Sequence, residues 1–115
     1  MSRGAAGEAR LQAKCVQWLW NTYPETRGCF LLIDNNATSA IGTLQKRAMG
    51  MVKGAADTMF FWRGDLYFFE FKIGNNKQSL AQEKFEKIAL IHAKNYSVIY
   101  TFENFCEAIK SILRP

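Results

Sequence analysis

The stretch Asp57-Thr-Met-Phe-Phe-Trp-Arg-Gly-Asp-Leu-Tyr-Phe-Phe-Glu70-Phe-Lys72 constrains the fold more than any other part of the chain. Two aromatic, β-prone runs flank Arg63-Gly64, a pair that marks a tight turn. With those two residues as the loop, Trp62 pairs with Asp65, and counting back along both strands sets Asp57 opposite Glu70. Cross-strand partners have Cβ atoms about 5 Å apart. Side chains alternate between faces, so Lys72 shares a side with Glu70. The register therefore predicts two carboxylates and an amine converging on an otherwise apolar sheet. A four-residue loop from Trp62 to Asp65 keeps this register, and a three-residue loop breaks it.

Neighbouring carboxylates repel, so keeping both ionised in a half-buried site is costly unless a cation lies between them. Oxygen ligands suit hard ions, and Mg²⁺ is typically held by one or two carboxylates together with waters and substrate phosphate. Such an ion polarises a phosphodiester and neutralises charge on the leaving oxygen. An adjacent lysine can orient the attacking water. The plainer alternative is a cross-strand ion pair, with Lys72 neutralising Glu70 or Asp57, since ion pairs also gather charges.

Around this hairpin the periodicities predict a helix over residues 5–22, with Leu11, Cys15, Trp18 and Leu19 on one face, and a strand over 29–33. Glu8 falls on the same face as Leu11, Cys15 and Leu19, so it can point inward or simply favour the helix dipole. Asp34-Asn-Asn-Ala-Thr-Ser leaves the strand as a polar loop in which Asn35 or Asn36 can reach the site or cap a turn. Residues 37–53 read as a long, glycine-containing connection. Strands at 55–62 and 66–73 form the hairpin. Ser79-Leu-Ala-Gln82 opens a helix running to about Lys94 and is also a capping box. A strand at 97–101, reached by a helical crossover, should run parallel to the strand before it. A helix over 103–113 closes the order αβββαβα, an α/β class with a mixed sheet. The single histidine, His92, falls near a helix end and reads as structural.

Bulk properties set limits. At 115 residues the chain suits one domain, and 49% hydrophobic content argues against disorder. No apolar run approaches the roughly 20 residues needed to span a bilayer. Cys15, Cys29 and Cys106 are odd in number and widely spaced, so a disulfide framework or zinc knuckle is not indicated and a cytoplasmic setting is expected. Aromatic content of 14% looks excessive for so small a body, and surplus apolar surface suggests self-association. The net charge of +5 suits a polyanion partner. Lys46, Arg47 and Lys53 cluster in the connection ahead of Asp57 and are the best candidates for phosphate contacts, with Lys77 beyond the hairpin. Lys77, Lys84, Lys87 and Lys94 fall near one helical face, interrupted by Glu83 and Glu86, and read at least as well as a solvated helix face.

The ordered set Gly54…Asp57…Glu70-Phe71-Lys72…Ser79-Leu-Ala-Gln82, with Glu8 in the first helix, resembles the VRR-NUC family of the PD-(D/E)xK nuclease superfamily over nearly the whole chain. Ala56 and Thr58 depart from it, since the family commonly has proline or serine before the aspartate and an aliphatic residue after it. The resemblance implies a restriction-endonuclease-like αβββαβ core with a C-terminal helix. It also implies a metal-dependent endonuclease of the stand-alone, bacteriophage type that works as a homodimer on branched DNA such as four-way (Holliday) junctions. On that basis Asp57, Glu70 and the Phe71 carbonyl would hold Mg²⁺ or Mn²⁺, and Glu8 would serve a second ion or a water. Lys72 would assist the attacking water and Gln82 would position water or phosphate. The competing readings are a nucleic-acid-binding module that keeps the fold without cutting, and a protein-interaction subunit whose acids are ion pairs.

Overall fold

The computed structural model describes residues 3–34 and 39–115. Helix α1 (Arg3–Thr22) passes through a short 3-10 turn (Pro24–Thr26) into β1 (Phe30–Leu32). Helix α2 (Ala40–Ala48) precedes the hairpin of β2 (Thr58–Trp62) and β3 (Asp65–Phe71). Helix α3 (Leu80–His92), strand β4 (Asn95–Ile99) and helix α4 (Phe102–Leu113) follow. The strands form one sheet in the order β1-β2-β3-β4, antiparallel as far as β3 and parallel between β3 and β4. The protein is therefore α/β with a mixed sheet.

The hairpin turns where its sequence predicts. Trp62 pairs with Asp65, and the register runs back to Thr58 opposite Phe69. Arg63 and Gly64 both take positive φ, 51° and 86°, as a type I′ turn requires.

Alternation along the strands divides the sheet between two apolar layers. Phe60, Phe69 and Phe71 point to one face, where they meet Cys15 and Leu19 of α1 and Phe105 and Ile109 of α4. Trp18 stands edge-on to Tyr23, Phe102 and Phe105 at ring separations of 5.8, 5.8 and 6.1 Å. Phe68 points to the other face, where Ala56, Ala89 of α3, Phe85 and Tyr96 form a thinner layer. The fully buried Glu70 shares that face, because it lies two residues beyond Phe68.

Several expectations shift. The connection over 37–53 contains α2, started by Ser39, whose side chain accepts from the Gly42 N–H. This helix buries no residue, so it carries no core-facing pattern to read. Strand β4 begins at Asn95 rather than Ser97 and stops before Thr101, whose hydroxyl caps α4 by accepting from the Asn104 N–H at 3.1 Å. The aromatic surplus is mostly absorbed: Trp18, Trp20, Tyr23, Phe60, Trp62, Tyr67 and Phe69 all belong to the first core layer, while Phe61 is left exposed. The exposed apolar surface is mostly aliphatic, with Ile41 and Leu44 on α2 and Ile88 and Ile91 on α3. His92 is exposed at the end of α3. Asn35 and Asn36 lie outside the described residues. Among the described residues no helix is long and apolar enough to cross a membrane.

Candidate functional site

The site forms where the β2–β3 ladder gives way to side chains. At its last rung the Thr58 hydroxyl donates to the Phe69 carbonyl at 3.0 Å. One residue further, Asp57 Oδ2 accepts from the Phe71 N–H at 2.8 Å. The carboxylate thus occupies the place of a backbone acceptor, and it is partly buried there. A strand residue's N–H and C=O leave the backbone on the same side, so the Phe71 carbonyl faces this edge as well. Thr58, unexpected in the resembling family, closes the ladder with its hydroxyl. Ala56 is fully buried in the layer with Ala89 and Tyr96, where a small side chain suits the close packing.

Gly54 brings this loop to α3. At φ +82° it sits so near the first turn of that helix that an added Cβ would lie 2.4 Å from the Ala81 carbonyl carbon and oxygen. The capping box of α3 is complete: Ser79 Oγ accepts from the Gln82 N–H at 3.2 Å and Gln82 Oε1 accepts from the Ser79 N–H at 2.8 Å. The carbonyl of Gln82 is therefore engaged in holding the helix start.

Glu70 is the most unusual residue of the site. It is 0% exposed. Its Oε1 accepts a hydrogen bond from the Tyr96 hydroxyl at 2.5 Å, while Oε2 is buried with no hydrogen-bond partner among the described residues. Burial pushes its carboxyl above the ordinary range, opposed by the Tyr96 bond and by Lys72 and reinforced by Asp57 and Glu86. Asp57 is raised by burial too, against the Phe71 N–H and Lys72. Glu8 follows the same pattern: burial raises it, Lys72 lowers it and Asp57 raises it. Each of the three acids therefore feels Lys72, which places one lysine among them.

Lys72 Nζ lies 3.9 Å from Glu8 Oε1, both side chains mostly shielded from solvent. Glu8 reaches it because α1 runs tight against the end of β3, where an added Cβ on Gly7 would lie 2.3 Å from Ile73 Cδ1. The helix begins at Arg3, so Glu8 lies in the second turn, beyond the reach of the dipole effect. Among the described residues no three His, Cys, Asp or Glu side chains gather to hold a metal ion. Two carboxylates with a carbonyl are nevertheless a normal protein contribution to Mg²⁺, which keeps several waters. The unpartnered Glu70 oxygen and the raised carboxyls fit such an ion, since a cation would satisfy both.

The basic candidates lie on α2 and in the loops before and after the hairpin. Lys46 and Arg47 lie in the last turn of α2, and Lys46 Nζ is 3.0 Å from Asp34 Oδ2. Arg47, Lys53 and Lys77 are exposed. Lys14 lies 4.5 Å from the centre of the Phe102 ring, a cation–π contact within the fold.

Tyr96, Gln78 and Glu86 are the site neighbours that the sequence reading missed. Burial and the bond to Glu70 hold the Tyr96 phenol well above its ordinary range, opposed by Gln78, whose buried Nε2 makes no hydrogen bond among the described residues. The signal for Tyr96 was one of register. Val98 pairs with Glu70, and Tyr96 lies two residues earlier on the same face of β4; starting that strand at Ser97 hid it. No protein-family model matches the chain, and neither does any curated protein or solved structure.

Proposed function

We propose that this chain is a Mg²⁺- or Mn²⁺-dependent endonuclease of restriction-endonuclease-like fold and VRR-NUC type, cutting DNA and favouring branched substrates such as four-way junctions. The observation that carries the reading is the buried Glu70 carboxylate with one oxygen unpartnered, beside an Asp57 carboxylate wedged into the strand edge. Leaving a buried carboxylate oxygen unpaired is expensive. A divalent cation removes that cost, whereas a stabilising ion pair would have brought Lys72 onto Glu70 rather than towards Glu8.

Asp57, Glu70 and the Phe71 carbonyl would hold the ion. When bound, it would supply Lewis-acid polarisation of the phosphodiester and neutralise charge on the leaving oxygen. Lys72, steadied by Glu8, would orient the attacking water and offset phosphate charge. Glu8 would act through that lysine or hold a water of its own. The side-chain amide nitrogen of Gln82 would be free to meet water or phosphate while its oxygen caps α3. Arg47, Lys53 and Lys77, with Lys46 at the rim, would follow the DNA backbone. A homodimer would set two such sites on two strands of a junction, and exposed aliphatic side chains such as Ile41, Leu44, Ile88 and Ile91 would offer apolar contact surface.

The test is cleavage of a labelled four-way junction, a flap and plain duplex in Mg²⁺, Mn²⁺ or EDTA, beside Asp57→Ala and Lys72→Ala. Metal-dependent cutting lost in both variants supports the enzyme. Tight binding without cutting would instead mark a non-cleaving DNA-binding module, and absence of binding at moderate salt removes both nucleic-acid readings.

A further inference from the structure

The proposed mechanism does not use Tyr96, although among the described residues its hydroxyl makes the one side-chain hydrogen bond of Glu70. We propose that Tyr96 is a positioning residue of the metal site: it ties down one oxygen of Glu70 and leaves only Oε2 to meet a divalent cation. The inference rests on the metal-site reading of Asp57 and Glu70.

The geometry is that of a fixed arm. Tyr96 is buried on β4, paired with Phe68 of β3, and its ring packs against Phe68 and Phe85 at centroid separations of 6.4 and 6.1 Å. A phenol held by a strand and two rings has little freedom, so the carboxylate it grips is fixed as well. Without that grip the Glu70 side chain could turn both oxygens to one ion or swing towards Lys72. A polar pair built only to stabilise the core would satisfy both carboxylate oxygens, and here Oε2 is left over. Partners that orient a metal-ligating side chain typically contribute 10–100-fold to metal affinity.

The experiment is a titration with Mn²⁺ alone, without DNA, followed by electron paramagnetic resonance. Wild type, Tyr96→Phe and Glu70→Gln are compared, with circular dichroism to check the fold. The expected result is Mn²⁺ binding by wild type, roughly 10-fold or more weaker binding by a folded Tyr96→Phe, and binding at least as weak for Glu70→Gln. A folded Tyr96→Phe with wild-type affinity overturns the positioning role while leaving the metal site standing. Wild type that binds no Mn²⁺ overturns the metal site and the proposal with it. Should Tyr96→Phe fail to fold, Phe85→Leu replaces it, because it loosens a ring that holds Tyr96: weakened Mn²⁺ binding supports the proposal and unchanged binding overturns it.

Discussion

Replacing Gly54 by alanine tests how the site loop is held against α3. Two separate costs arise. The residue has φ +82°, a backbone region that costs an L-residue about 1–2 kcal/mol. The new Cβ would also lie 2.4 Å from the Ala81 carbonyl and 2.7 Å from the Gln82 nitrogen. Those are backbone atoms in a capped first turn, which cannot rotate aside as a side-chain tip would. Overpacking of this kind costs about 1–3 kcal/mol, for a total of about 2–5 kcal/mol against a typical stability of about 5–15 kcal/mol. Gly28 supplies the control, with φ +87° and nothing within 4 Å of an added Cβ. Gly28→Ala should therefore show the strain alone. The two variants should differ by about 1–3 kcal/mol in urea unfolding. For a chain of this size that is a gap of roughly 4–12 °C in melting temperature. Because the same contact aims Asp57, Gly54→Ala should also weaken Mn²⁺ binding below the unfolding transition, and Gly28→Ala should not. Equal stability losses in the two variants would refute the claim that crowding against α3 holds this loop.

Further outcomes follow from the same structure. Glu70, Asp57 and Glu8 are raised above their ordinary values of 4.5, 3.8 and 4.5. In metal-free protein their contribution to stability is therefore full below those ordinary values and lost as pH rises through the raised ones. Urea midpoints in EDTA should fall over that rise, Glu70→Gln should flatten the fall, and Mg²⁺ should offset it; a midpoint that climbs instead contradicts the burial argument. Ser79→Ala breaks the capping box and should cost about 1 kcal/mol, whereas Gln82→Glu keeps the cap. If Gln82 also meets phosphate, Gln82→Glu should slow junction cleavage at unchanged melting temperature. Arg63 holds φ +51° in the hairpin turn, so Arg63→Asn should stabilise by up to about 1 kcal/mol. That gain would be reduced by loss of the contact with the Trp62 ring at 5.7 Å, and a scan of melting temperature reads the balance.

Local chemistry made much of this chain legible before folding. Arg63-Gly64 admits the turn that aligns Trp62 with Asp65, and period-two alternation then places Glu70 and Lys72 on one side. Ser79 and Gln82 announce the start of α3 because a capping box needs only residues three apart. Helix α2 stayed hidden because it buries nothing, and burial is what writes periodicity into a sequence. The start of β4 was misplaced because its apolar centre outweighs Asn95, although the Lys94 N–H already bonds the Leu66 carbonyl at 2.7 Å.

What the sequence determined alone was therefore the hairpin register and the set of charged groups carried by it. Only the tertiary structure decided how those charges are partnered. Asp57 turned into the strand edge to take the Phe71 N–H, Lys72 leaned towards Glu8, and Glu70 received Tyr96 from a strand 26 residues away. Register is set by neighbours along the backbone, whereas partnership depends on which distant elements pack close enough to exclude water.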